Sequence, residues 1–121
     1  MAPEPLKNES GFEHRVAVGV SLVCFYTPWS APCRLQMSIL EALGQYYGRR
    51  VLMLDINVDY LEKLRKRFGV HRIPTIIVLN NGAECHRLVG VHSESDLCRA
   101  IDGELAAAAS VKNKTKKVKR T

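Results

Sequence analysis

The sequence predicts an α/β domain: a mixed central sheet of four to five strands with helices on both faces. Three observations carry this. Val20–Tyr26 and Val51–Ile56 are short apolar runs bounded by turn residues, the signature of strands buried on both faces. A helical pattern separates the two runs, and helix-separated strands pair parallel. Asn80-Asn81-Gly82 between two β-patterned stretches signals a hairpin, so one pair is antiparallel.

Each element has its own justification. A weak strand signal lies within Pro3–Lys7. Asn8–Val18 reads as a short helix with Phe12, Val16 and Ala17 on its apolar face. Thr27-Pro28 breaks the first strand. A helix follows from Ser30 or Ala31 to about Tyr47, with Leu35, Ile39, Leu40 and Leu43 at helical spacing and Gly48 as its stop. Tyr60–Phe68 places Leu61, Leu64 and Phe68 inward and its charged residues outward, and Gly69 closes it. Thr75–Leu79 is a β-branched run, and the chain returns through Glu84–Val89. Ser93 caps a last helix with Leu97, Ile101 and Leu105 on one stripe, fraying into Ala106–Ala109. No internal repeat is visible.

At 121 residues the chain is one domain. Hydrophobic residues at 46% and charged residues at 25% are ordinary for a globular protein. No apolar run approaches the roughly 18–20 residues that span a bilayer. Met1–Gly11 lacks the basic start and apolar stretch of a secretory leader, so a cytoplasmic setting is expected. The charge is unevenly placed. Residues 1–110 hold twelve basic and twelve acidic side chains, and the whole net charge of +6 sits in Val111–Thr121. The expected division is a 1–110 domain and a basic, disordered 111–121 tail. The tail is either a solubilising segment or a contact for an anionic partner such as nucleic acid or membrane; no aromatic residue interleaves its lysines to stack on bases.

Cys24, Cys33, Cys85 and Cys98 show neither disulfide-scaffold nor metal-knuckle spacing, so free thiols and no metal are expected. His14, His71, His86 and His92 form no helical ligand pair, and His71 reads as a solvated loop residue. No feature calls for a cofactor.

Four local motifs remain. They are Phe25-Tyr26-Thr27-Pro28-Trp29-Ser30-Ala31-Pro32-Cys33, Ile73-Pro74-Thr75, Asn81-Gly82 and Val89-Gly90-Val91. In this order and spacing the chain resembles the thioredoxin family over roughly Gly11–Leu105. The resemblance implies the thioredoxin fold, a cis Pro74, and an apolar substrate groove of Trp29, Ile73, Pro74 and Gly90. It implies thiol–disulfide exchange in cell redox homeostasis, on protein or peptide substrates carrying disulfides or thiols. A monomer is expected. The family pattern is Trp-Cys-x-Pro-Cys. Its first cysteine sits at a helix N-terminus, whose free N–H groups and positive dipole end favour a thiolate. That thiolate attacks a substrate disulfide and the second cysteine resolves the mixed disulfide.

This chain departs from the pattern twice. Ser30 stands at the first cysteine position, with Cys33 at the second. A serine hydroxyl neither ionises near neutral pH without a dedicated base nor forms a disulfide, so dithiol exchange is expected to be impaired or absent. The serine is either a natural variant or a Cys→Ser change in a Cys-Ala-Pro-Cys parent. As residues it offers a good helix N-cap. Cys24 occupies the strand position where the family carries a buried aspartate that assists proton removal, and reads as a small buried hydrophobe. Asp55 on the next strand is expected at a strand end facing solvent, with a substitute base near Cys33 as the other reading. The remaining chemistry is that of a single thiol: Cys33 forming a mixed disulfide or a sulfenic acid. The Ser-x-x-Cys spacing is shared with peroxiredoxins, but their proline lies further upstream and their chain is longer. The alternative to an oxidoreductase is a non-catalytic module binding extended peptides or partner proteins in the Pro74 groove.

Overall fold

A computed structural model describes the backbone of residues 3–120 and the side chains of residues 3–109. Its strands are β1 (Glu4–Pro5), β2 (Val20–Tyr26), β3 (Val51–Asn57), β4 (Thr75–Asn80) and β5 (Ala83–Val89). Its helices are α1 (Phe12–Val16), α2 (Ala31–Tyr47), α3 (Glu62–Arg67) and α4 (Glu94–Arg120), with a 3-10 turn at Gly48–Arg50. The sheet order is β1-β3-β2-β4-β5. β1, β3 and β2 run parallel, while β4 is antiparallel to both β2 and β5.

The antiparallel β2–β4 pair differs from the parallel pairing that an intervening helix suggests. The reason is length. Six residues of α3 rise about 9 Å, whereas a seven-residue strand covers about 23 Å. α3 is too short to carry the chain back to the far end of the sheet. The chain therefore enters β4 from the end at which β3 left. α2, with seventeen residues, does make that return, and β2 and β3 pair parallel.

Both faces of the sheet are covered. Val20, Leu22, Cys24, Val51, Met53, Ile76 and Val78 point to one face, where Leu40, Leu43 and Tyr47 of α2 and Leu97, Ala100 and Ile101 of α4 bury them. Val23, Phe25, Leu54, Ile56, Ile77 and Leu79 point to the other, under Phe12 and Val16 of α1 and Leu61 and Leu64 of α3. Strict alternation along each strand produces the two cores.

Several boundaries move for local reasons. α3 starts later than the pattern at Tyr60 suggests because Asn57 captures the chain first. Its side chain accepts the Asp59 N–H, and its carbonyl accepts the N–H groups of Tyr60 and Leu61. On α2 the inward stripe is Cys33, Gln36, Leu40, Leu43 and Tyr47, and Leu35 is 57% exposed. Ala17 is exposed as well. Asn81 and Gly82 both have positive φ, the geometry of the hairpin turn that Asn-Gly favours. α4 continues past the apolar stripe to Arg120. Side chains from 110 onward, and with them the surroundings of the basic run, lie outside the described residues.

Candidate functional site

The carboxyl end of β2 and the start of α2 meet at Pro28–Cys33. Ser30 is the N-cap of α2, in extended backbone, and its Oγ accepts the Cys33 N–H at 3.4 Å. Pro32 in the first turn suits a position whose N–H would be unpaired anyway. Ser30 is only 9% exposed, and Cys33 is fully buried. The thiol at position 33 thus sits under the loop, while the hydroxyl at position 30 is taken up by the helix end.

Trp29 does the opposite and is 69% exposed. Its indole N–H donates to Asp59 Oδ2 at 3.0 Å, which pins the ring from the β3–α3 loop. Arg34 reaches back to the Pro28 carbonyl and fastens the loop's other side. Trp29 and Ile73 line one cleft of about 350 Å³, together with Thr27, Asp59, Arg65 and the exposed His71. The Ile73–Pro74 peptide bond is cis. The Pro74 carbonyl accepts the Gly90 N–H at 2.8 Å, so the two glycine- and proline-bearing loops are tied side by side. Gly90 has φ of +83°, a conformation that side chains rarely adopt. The residues Trp29, Ser30, Cys33, Ile73, Pro74 and Gly90 therefore gather at one end of the sheet.

Sequence reasoning missed what holds the Gly90 loop. Gln36 is fully buried on α2; its Oε1 accepts the His92 N–H at 2.7 Å and its amide donates to the His92 carbonyl at 3.2 Å. The His92 ring lies 3.0 Å from the Val89 carbonyl and 3.3 Å from Asp96 Oδ2. A lone glutamine among leucines carries no local signal for such a clamp. The inward period of α2 shows it only when counted from Cys33.

The carboxylate beneath the site corrects an expectation. Asp55 does not face solvent. It is 6% exposed and pairs in register with Cys24 across the parallel β2–β3 ladder. Burial, and then the Glu41 charge, push its carboxyl up to about 7. Its Oδ1 is buried with no hydrogen-bond partner. Cys24 is fully buried, and desolvation, then Asp55 and Cys33, push its thiol far up. It stays a neutral hydrophobe throughout the physiological range. All four cysteines are free thiols, with Cys85 exposed and Cys98 half-buried. Among the described residues, no cluster of His, Cys, Asp or Glu is arranged to hold a metal.

The thioredoxin family model matches residues 4–103. The chain belongs to the thioredoxin family. The thioredoxin of Staphylococcus haemolyticus is 31% identical over 97 residues, which cover 80% of this chain and 93% of that relative. Solved structures share the fold. A mutant thioredoxin from Halobacterium salinarum superposes with a TM-score of 0.79 at 23% identity, covering 86% of this chain and 91% of the other. The Malassezia sympodialis thioredoxin gives 0.76 at 22% identity, with the same coverage. No described helix is long and apolar enough to cross a membrane.

Proposed function

We propose that this thioredoxin-family chain retains single-thiol chemistry at Cys33 and has lost dithiol exchange. The observation that carries this is the position of the Ser30 hydroxyl: it accepts the Cys33 N–H at the helix end and is nearly buried. A thiolate at that place would be the family's attacking nucleophile. An alcohol there caps the helix and leaves Cys33 to act alone, beneath the loop. Substrates are protein or peptide disulfides that lie extended across Trp29, Ile73, Pro74 and Gly90. Attack by Cys33 opens the S–S bond, joins one half to the protein and releases the other as a thiol. With no second thiol at position 30, the mixed disulfide is not resolved from within the loop.

The test is reduction of insulin by dithiothreitol, with the unaltered chain and with Ser30→Cys. The unaltered chain is expected to add little to the background rate, and Ser30→Cys to restore turnover. An inert Ser30→Cys variant favours the second reading, a peptide-binding module in which the fold serves recognition. That reading draws on the wide exposure of Trp29 beside a fully buried Cys33.

We further place the chain in the cytoplasm, as a monomer, with a 1–110 domain and a basic segment at 111–121. Six cations with no acid make that segment a contact for anionic surfaces. Deleting 111–121 is expected to abolish binding to anionic liposomes or nucleic acid at low salt. Binding that persists in the truncated chain removes the tail from the account.

A further inference from the structure

The one buried carboxylate among the described residues is Asp55. Its place in the sheet fixes what it can reach. Val51 and Met53 of β3 face α2, and Asp55, two residues on, faces the same way. Cys24 stands beside it on β2, in register. Cys33 occupies the first turn of α2 above the same face. The negative forms of Cys24 and Tyr26 are each opposed by both Asp55 and Cys33, which sets these groups around one buried spot. The ionisable groups around Asp55 are Cys24 and Tyr26 from β2 and Glu41 from α2, and Cys33 of α2 lies against the same two β2 groups. β1 adds only Pro5 in register.

We propose that Asp55, reaching across from β3, is the proton acceptor for the Cys33 thiol. A buried oxygen with no partner is a costly feature for a fold to keep. It is explained if that oxygen takes a proton in the reaction. Cys24, one strand over, cannot serve: its own thiol holds its proton far above neutrality. The assignment rests on the single-thiol reading of Cys33 given above. In the disulfide step the Cys33 S–H proton passes to the Asp55 carboxylate as the sulfur attacks. The substrate S–S bond breaks, a new S–S bond forms at Cys33, and the leaving thiolate departs. Electrons balance, because thiol–disulfide exchange consumes one disulfide and makes another.

Iodoacetamide is the probe, since it reports proton loss from a thiol without needing a disulfide substrate. Carbamidomethylation of Cys33 is followed by peptide mass spectrometry in the full chain from about pH 5 to about pH 9. The wild-type rate is expected to rise with an inflection near neutrality. Asp55→Asn is expected to lose that inflection and to react on the order of a hundredfold more slowly at about pH 8. Circular dichroism checks that the variant is folded. A second readout does not depend on the reagent entering the site: the carbon-13 shift of the Asp55 carboxyl, titrated in wild type and in Cys33→Ala. Its midpoint is expected to move when the thiol is removed. Superimposable alkylation profiles for wild type and Asp55→Asn would overturn the assignment, as would a carboxyl titration indifferent to Cys33. Failure to open disulfides in the presence of both signals would instead count against the single-thiol function and leave the proton pair established.

Discussion

At position 30 the difference between oxygen and sulfur is both chemical and structural. Ser30 Oγ closes the first turn of α2 over a bond of 3.4 Å, a long one. Ser30→Ala is therefore expected to cost about 0.5 kcal/mol, at the low end for a lost N-cap, as measured by urea denaturation. Asp55 has a larger signature. Its carboxyl sits near 7 in the folded chain and near 3.8 in an unfolded one. The folded state binds the extra proton, so the contribution is fully present below about pH 4 and is lost as pH rises through about 7. Relative to Asp55→Asn, wild type is expected to lose on the order of 4 kcal/mol across that window. Parallel stability–pH curves for the two proteins would show that the carboxyl titrates normally. The sequence shows the Ser30 cap, because capping is local. It conceals Asp55, because an aspartate at a strand end reads as solvated until the neighbouring helix is seen to cover it.

Among the elements, α2 joins core and site. Leu40 is fully buried between α2 and the sheet, and Leu40→Ala is expected to cost about 2–5 kcal/mol. Four residues earlier, Gln36 faces the same way but commits its amide to the His92 backbone. Gln36→Ala is expected to cost less in global stability and to speed amide hydrogen exchange around Gly90–His92. Unchanged exchange there would mean that the Gly90–Pro74 contact holds the loop unaided. The β2, β3 and β4 strands and the hairpin turn were legible from apolar runs and Asn-Gly alone. The direction of β4 was not, since it depends on the length of α3, and α3 is shortened by an Asn57 turn that leaves no periodic trace. Leu35 shows the same limit: four leucine-type residues at helical spacing suggest a stripe, yet the inward arc is set by Cys33 and Gln36.

For the whole molecule, the two-faced core leaves thiols at very different depths. Cys85 lies exposed on the edge strand β5, whereas Cys24 and Cys33 are fully enclosed. A bulky maleimide is expected to label Cys85 first and Cys33 only as fast as the fold opens; Cys33 labelling at the Cys85 rate would mean the loop over α2 does not shield it. The loops carrying Trp29, Pro74 and Gly90 converge at one end of the sheet, so recognition and the buried sulfur share an edge without sharing solvent access. The central claim is that one reactive sulfur acts there without a partner at position 30. Counting the thiols released when the chain with Cys85 and Cys98 replaced by serine meets a large excess of a peptide disulfide, with no other reductant, tests it most directly. The account predicts a single thiol released per chain from Cys33 and a mixed disulfide that persists at that residue. A Cys33 adduct that clears as the chain releases a second thiol would contradict it.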